Sequence, residues 1–336
     1  MNFKRILMSA ALSAGILLSA AGCSGGGNSS SGNVGDITFA DGDKIAVIEI
    51  KDYGTVKAKL FPDIAPVGVQ NFIQLAEQGY YNGLKIHRVL SDGVVQGGSL
   101  NGDGTGGVAA YTGEETKDDE KVTSFPIEVS EKARHFYGAL CYVADSSGQC
   151  AAQFYIVSGN TPQDISKTDV AKVQAKADEL AAAAAAATWE ADSSAAKNNS
   201  YQQTYYRNHA SILGSKNQEA ADKYAKVGGV YQLDGMDTVF GQVFEGLDVI
   251  DKISGVEVET NALGEKSMPV QSIIISSVTI ETFKQSTAEA EDEKTSGKNS
   301  KTDSKPAQAE ASTAEAGTKA AQSAEAPTTV DTKEPA

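Results

Sequence analysis

The sequence predicts a mainly-β fold, a closed antiparallel barrel with a short helix near each end. Its central part consists of short apolar runs that alternate with polar residues and are bounded by Gly-rich turns, a period of two that is typical of strands. Only two short stretches inside this texture have the helical spacing of apolar residues, one after Pro66 and one over 246–254. A long alanine-rich segment interrupts the pattern and predicts an inserted helical segment, because alanine has the highest helix propensity.

The first elements are a hairpin and a helix. An apolar strand over 45–48 and an alternating strand over 56–60 flank a turn signal at 52–54, which predicts a β-hairpin. The helix is predicted from Pro66, whose missing N–H costs little in a first turn, to Gly79. Four apolar residues at helical spacing give this helix one buried face: Val69, Phe72, Ile73 and Ala76.

The barrel texture falls into two parts, 41–160 and 229–283, on either side of a helical insertion over 161–228. Further short strands are predicted in the first part, around 86–90, 94–98, 126–129, 137–144 and 153–158. Helices are predicted in the insertion over 167–189 and 200–226. A strand over 238–244, the helix over 246–254 and a final strand over 270–282 are predicted in the second part.

The N-terminus has the layout of an export signal. Two cationic residues precede an apolar run over 6–20, which is too short to span a bilayer comfortably. Small residues then lead to Cys23, which resembles the lipobox of bacterial lipoproteins, although Ala20 stands where leucine is usual. We expect a signal peptide over 1–22 and a lipidated Cys23 on a flexible tether over 23–40, with an ordinary cleaved signal as the alternative. This layout predicts a lipid-anchored protein on the extracytoplasmic face of a cell membrane.

Composition limits the partners and the folded part of the chain. The net charge of −15 argues against nucleic acid, because phosphate binding requires clustered lysine and arginine. The segment 284–336 consists almost entirely of small and polar residues, so we expect it to be disordered. The acidic cluster over 114–120 is interpreted as a solvated loop. Cys141 and Cys150 could form a disulfide in an exported compartment or could be two small buried residues, and the sequence leaves both open.

A series of short motifs in a fixed order carries the functional signal. The motifs are Asn71-Phe72, GYYNG at 79–83, IHRVL at 86–90, QGG at 96–98, GTGG at 104–107, QFYI at 153–156, LDG at 233–235 and VFG at 239–241. Each is weak by itself, but their order and spacing resemble the cyclophilin family over roughly 42–160 and 229–282. The resemblance implies an eight-stranded antiparallel β-barrel capped by two helices, with an active groove on the outer face of the barrel.

The resemblance also implies peptidyl-prolyl cis-trans isomerisation, which needs no cofactor. Together with the export signal it leads us to expect proline-containing segments of exported polypeptides as substrates. We expect a monomer and no metal. Rotation of an X–Pro bond crosses a barrier of about 20 kcal/mol set by amide resonance. A fixed donor aimed at the prolyl nitrogen in a site with little water stabilises the twisted state, and a guanidinium is a rigid, permanently charged donor. Arg88 matches the catalytic arginine of the family, and Gln96 matches the glutamine that orients it. The residues matched to the substrate pocket are Tyr155, Phe154, Leu233, Val94 and Val143, with Tyr155 expected on the proline ring and Phe154 closer to the core.

Several positions depart from the family pattern. Gly93 and Val94 replace a phenylalanine and a methionine that line the pocket in the family. Gln232 is found where many members have tryptophan, and Asp237 where many have histidine. Val143-Ala144 replaces an Ala-Asn pair. Loss of the tryptophan predicts weak sensitivity to cyclosporin. These replacements remove large apolar side chains from the expected pocket. They leave a second hypothesis, a catalytically weak or inactive module that binds proline-containing segments or a partner protein.

The three histidines are not expected to take part in the chemistry. His87, His135 and His209 lack a spacing suited to zinc. His87 precedes Arg88 on a predicted strand, so we expect it to face away from Arg88 in a buried structural role.

Overall fold

The computed structural model describes residues 37–111, 123–187 and 194–284. The predicted signal peptide, Cys23 and the predicted disordered tail after Lys284 lie outside the described residues, as does the acidic cluster over 114–120. Both parts of the predicted barrel are described except for residues 112–122.

An antiparallel sheet forms the barrel. Its strands are β1 (Lys44–Ile50), β2 (Gly54–Leu60), β3 (Lys85–Ile86), β4 (Arg88–Val89), β5 (Val94–Gly97), β6 (Phe125–Pro126), β7 (Ala139–Ala144), β8 (Gln149–Val157), β9 (Val239–Glu245) and β12 (Ile273–Thr282). The hydrogen-bonded order within the described residues is β3-β12-β1-β2-β9-β7-β8-β5-β4, with β6 added against β8.

The barrel is nearly closed, because β3 and β4 lie at the two ends of this order and only His87 separates them in the chain. The sheet has ten strands in the described residues. When β3 and β4 are counted as one strand interrupted at His87, the path around the barrel has the predicted eight strands, and β6 is an addition. The mainly-β barrel predicted from the sequence is therefore confirmed.

The Asn71-Phe72 motif fixes the first helix, α1 (Pro66–Glu77), in the barrel. Phe72 packs in the interior against Tyr81, Phe154 and Phe240, with ring centroids between 5.1 and 5.7 Å apart. The buried amide of Asn71 donates to the Tyr142 hydroxyl and to the Ala151 carbonyl, both at 2.8 Å. The motif therefore provides both an aromatic anchor and a satisfied buried polar contact.

The second capping helix, α5 (Leu247–Ser254), follows β9 and buries the face predicted from its apolar spacing. Leu247, Ile250 and Ile253 all lie in the main core. Gly246 precedes the helix with a φ of 87°, and a Cβ there would collide with the Thr55 carbonyl. Only glycine fits this close approach of helix and β2.

The inserted segment contains α2 (Val170–Ala187), α3 (Ser194–Gly214) and α4 (Gln218–Val227). The prediction of one helix over 200–226 is wrong, because the chain turns at Lys216, where φ is 48°. Asn217 then begins α4, its side chain accepting the N–H of Ala220 at 3.1 Å, as expected of a favoured N-cap residue. None of the helices in the described ranges is long and apolar enough to cross a bilayer.

A hairpin that the sequence did not predict follows α5. Its strands, β10 (Val258–Thr260) and β11 (Lys266–Pro269), form a separate two-stranded sheet. The Asn261 side chain orders the turn by accepting the N–H groups of Leu263 at 2.9 Å and of Glu265 at 3.0 Å. Because these strands are short and largely polar, they lack the apolar alternation that reveals a strand.

Cys141 and Cys150 are free, buried thiols. In the β7–β8 ladder Cys141 is opposite Tyr155, whereas Cys150 is opposite Ala144. Cys150 belongs to the interior core and Cys141 to a cluster on the outer face of the sheet. The two side chains point to opposite faces and cannot form a disulfide in this fold.

Candidate active site

Arg88 and Gln96 face each other across β4 and β5 as register partners. The Nη1 of Arg88 donates to the Oε1 of Gln96 at 3.2 Å. Gln96 is buried, whereas 22% of the Arg88 side chain is exposed, so the guanidinium reaches the outer surface of the barrel. The structure thus brings together the two residues that the sequence predicts as catalytic.

The amide of Gln96 also contacts His87. Its Nε2 lies 3.3 Å from the Nε2 of His87 and donates to the Oε1 of Gln153 at 3.3 Å. Burial lowers the pKa of His87 to about 4, so the ring is neutral near pH 7. The neutral ring accepts a hydrogen bond from the Gln96 amide. His87 is buried, as expected, but it does not point away from the site, because the sheet is interrupted at His87 and simple strand alternation does not apply there.

Glu265, which the sequence did not single out, holds the other side of the Arg88 guanidinium. The Nε of Arg88 donates to one carboxylate oxygen at 2.7 Å, and the Nη2 donates to the other at 2.9 Å. This bidentate arrangement is directional as well as attractive. The two residues are 177 positions apart, and Glu265 lies on the unpredicted hairpin, so no local signal could have linked them.

A row of side chains continues from Arg88 across the outer face of the sheet. Tyr155 on β8 is the register partner of Gln96, and Cys141 on β7 is the partner of Tyr155. Cross-strand partners project from the same face of a sheet, so the aromatic ring stands beside the Gln96 amide. The outer apolar cluster around this ring has the buried members Val94, Ala139, Cys141, Tyr155, Val157 and Val239, with Leu90, Ala133, Val143, Val230 and Leu233 packed against them.

Asp237 adds a carboxylate to this apolar surface. The Tyr155 hydroxyl donates to its Oδ2 at 2.8 Å, and the Ala144 N–H donates to its Oδ1 at 3.0 Å. Burial raises the pKa of Asp237 above its ordinary value. The outer apolar cluster therefore includes a tyrosine whose hydroxyl is bonded to a buried carboxylate, in addition to its aliphatic side chains.

The inserted helix α3 packs against the segment that carries Leu233 and Asp237. The hydroxyls of Tyr201 and Tyr205 donate to the carbonyls of Met236 at 3.2 Å and Gln232 at 2.6 Å, and the His209 Nδ1 lies 2.8 Å from the Asp234 carbonyl. The insertion thus holds the backbone of this segment through side-chain contacts, and Arg88 stays partly exposed.

A buried network around Asp234 connects the insertion to the barrel. The Asp234 carboxylate accepts the Tyr224 hydroxyl of α4 at 2.9 Å and the His135 N–H at 3.0 Å. The His135 ring in turn stacks on Tyr155 with 6.2 Å between centroids. Within the described ranges, no group of three or more His, Cys, Asp or Glu side chains could hold a metal ion.

Comparison with known proteins decides the family. The sequence profile described as cyclophilin type peptidyl-prolyl cis-trans isomerase/CLD matches residues 45–280. The chain belongs to the cyclophilin family. It is an enzyme of the peptidyl-prolyl cis-trans isomerase class, since both this profile and its relatives carry that activity in their names.

Two relatives and one solved structure illustrate the similarity. A Staphylococcus saprophyticus protein, provisionally named a peptidyl-prolyl cis-trans isomerase, is 29% identical over 243 residues, covering 72% of this chain and 95% of its own. A Staphylococcus aureus (strain USA300) protein with the same provisional name is 28% identical over 239 residues, covering 71% of this chain and 92% of its own. A crystal structure of a cyclophilin type peptidyl-prolyl cis-trans isomerase from Cryptosporidium parvum has a TM-score of 0.45 at 16% identity, over 72% of this chain and 99% of that chain.

The residues predicted for the pocket of this cyclophilin divide between two faces of the sheet. Val94, Tyr155, Val143 and Leu233 all belong to the outer apolar cluster. Phe154 does not, because its side chain lies in the interior core against Phe72. Successive residues of a strand point to opposite faces, so Phe154 cannot line the same surface as Tyr155, and its place among the pocket residues is corrected.

Proposed function

We propose that this cyclophilin catalyses X–Pro rotation by donating a hydrogen bond from Arg88 to the prolyl nitrogen while the outer apolar cluster holds the proline ring. The nitrogen gains a lone pair as the imide twists, so a donor placed there binds the twisted state better than either planar form. The row Arg88, Gln96 and Tyr155 supports this proposal, because it sets a cationic donor in line with the outer apolar cluster to which Tyr155 belongs.

Arg88 keeps donors for a substrate. A guanidinium has five N–H groups. Glu265 accepts from the Nε and the Nη2, and Gln96 accepts from the Nη1, so two N–H groups have no acceptor among the residues that the structure describes. We propose that Gln96 orients Arg88 and contacts the substrate backbone, and that the neutral His87 keeps the Gln96 amide in place.

The proposed substrates are proline-containing segments of exported polypeptides. The predicted export signal and the expected lipidation of Cys23 support a location at the extracytoplasmic face of a membrane. We propose that the surface beside Arg88 takes an extended chain, and that the protein acts as a monomer without a cofactor.

The proximity of Arg88, Gln96 and Tyr155 carries the proposal, and substitution of Arg88 tests it. We expect Arg88→Ala to lower kcat/KM for a short X–Pro peptide by about 100-fold, a loss typical of removing one preorganised donor. Arg207 is exposed on the inserted helix α3, so Arg207→Ala is a matched control that removes the same charge and leaves activity intact. Unchanged activity in Arg88→Ala, with the wild type active, would refute the role of Arg88.

A second candidate function is a module that binds proline-containing segments with little catalysis. Gly93 stands where the family has an aromatic residue, and Asp237 places a carboxylate beside the ring of Tyr155. Loss of a buried aromatic side chain forfeits about 1.5–3 kcal/mol of apolar contact, enough to weaken proline binding more than tenfold. Peptide binding without acceleration of isomerisation would favour this function over the first.

A further inference from the structure

Glu265 and Arg88 form a contact that the reaction described above does not use. The carboxylate occupies two N–H groups of the guanidinium in one plane, and Gln96 occupies a third on the other side. The guanidinium is therefore clamped between an acceptor from the barrel and an acceptor from the hairpin. An arginine side chain otherwise samples many rotamers, so the clamp selects one orientation of the donors.

The hairpin presents Glu265 in a fixed position. The side-chain oxygen of Asn261 accepts the Glu265 N–H at 3.0 Å, and its amide donates at 3.2 Å to the hydroxyl of Ser267, which is fully buried. Gly264 completes the turn with a φ of 85°. The turn thus fixes the backbone from which the Glu265 carboxylate extends to Arg88.

The Arg88–Glu265 pair is partly buried, with 22% and 26% of the two side chains exposed. Desolvation of the two charges offsets part of their attraction, so the net stabilisation of the fold by the pair is small. Water that reaches the exposed part of the pair also limits how far the carboxylate reduces the positive charge that Arg88 presents to a substrate. Orientation has the larger effect, because an error of about 1 Å in a catalytic group can cost about 100-fold in rate.

We propose that Glu265 is a positioning residue, which orients the guanidinium of Arg88 toward the twisted prolyl nitrogen. This inference rests on the proposed role of Arg88. It adds a requirement that no motif of the sequence carries: the hairpin between α5 and β12 must be in place for full turnover. A positioning role affects the transition state and not substrate binding, so kcat falls and KM stays constant.

The test compares full-length variants on one X–Pro peptide. We expect Glu265→Ala to lower kcat about tenfold with KM within about twofold. Glu265→Gln keeps one acceptor oxygen, so its kcat should fall less than that of Glu265→Ala. Glu259 is exposed on the same hairpin, so Glu259→Ala removes the same charge and should leave both constants unchanged. The Arg88 Nε–H signal in nitrogen-15 NMR reports the clamp directly and should weaken in Glu265→Ala but not in Glu259→Ala.

Coupling between the two residues separates this inference from the proposed function. In an Arg88→Ala background, Glu265→Ala should cause no further loss of kcat. An inactive wild type would overturn the proposed function and this inference together. An active wild type whose Glu265→Ala variant keeps or exceeds the normal kcat would overturn the positioning role alone, and a rise would show that the carboxylate competes with the substrate.

Discussion

The hydroxyl of Tyr155 donates a hydrogen bond to the carboxylate of Asp237 at 2.8 Å. Asp237 departs from the usual composition of a cyclophilin pocket, and the structure pairs it with Tyr155. The same carboxylate accepts the Ala144 N–H at 3.0 Å, so it links β8 to the end of β7. The ring that we propose to contact proline is therefore fixed by a polar link at its far end.

Removing the Tyr155 hydroxyl should destabilise the domain. Tyr155→Phe leaves Asp237 with one donor fewer in a buried site, where burial already raises its pKa. We expect a loss of about 1–2 kcal/mol in the free energy of unfolding at pH 7, measured by urea denaturation. The loss should shrink as the pH falls and Asp237 becomes protonated, because a neutral carboxyl depends less on the missing donor.

The control for this experiment is Tyr111→Phe, which removes a hydroxyl from an exposed side chain. A double-mutant cycle with Asp237→Asn should show coupling between residues 155 and 237. Equal stability of Tyr155→Phe and wild type at pH 7 would show that the hydrogen bond contributes nothing.

His87 should make stability depend on pH below neutrality. Burial lowers its pKa from the ordinary 6.5 to about 4 in the folded protein. A depressed pKa means that the stabilisation is complete above 6.5 and is lost as the pH falls through 4. We expect His87 to account for a loss on the order of 3 kcal/mol in the free energy of unfolding over this range.

The comparison variant is His87→Gln, which keeps a polar group near Gln96 but cannot titrate. Urea denaturation between pH 7 and pH 4 should give a steeper fall for the wild type than for this variant. Parallel pH profiles for the two proteins would mean that His87 titrates near its ordinary pKa and is not desolvated.

Cys23 should determine membrane attachment. We expect Cys23→Ser to move the protein from the detergent-rich phase to the aqueous phase in a detergent phase-separation experiment, because each buried acyl CH₂ contributes about 0.8 kcal/mol. Cys141→Ser removes a buried thiol of the folded domain and serves as the control for loss of a cysteine. An aqueous wild type, or a Cys23→Ser variant that stays with the detergent, would exclude lipidation at this position.

The elements predicted correctly from the sequence are those whose apolar residues follow the period of a helix or a strand. The first hairpin, α1 and α5 have apolar residues at the spacing of the element, so their buried faces were identified from the sequence. The break between α3 and α4 was missed because a strong helical composition hid the Asn217 cap. The β10–β11 hairpin was missed because its strands are short and polar.

The residues of the candidate site also differ in whether the sequence could reveal them. Arg88, Gln96 and Tyr155 were found from motif positions, and the barrel brings them into one row. Glu265 was out of reach because its contact with Arg88 spans 177 positions. His87 was misplaced because its orientation follows from where the barrel closes, a property of the whole sheet and not of the neighbouring residues.

The central claim is that the groove speeds rotation of X–Pro bonds. The most direct test is exchange NMR on a short X–Pro peptide with a substoichiometric amount of the protein. Without a catalyst the two isomers exchange over tens of seconds or more, too slowly for exchange peaks. We expect exchange peaks between cis and trans signals that grow with protein concentration. Shifted peptide signals without exchange peaks would contradict the claim and leave a protein that binds proline segments but does not turn them over.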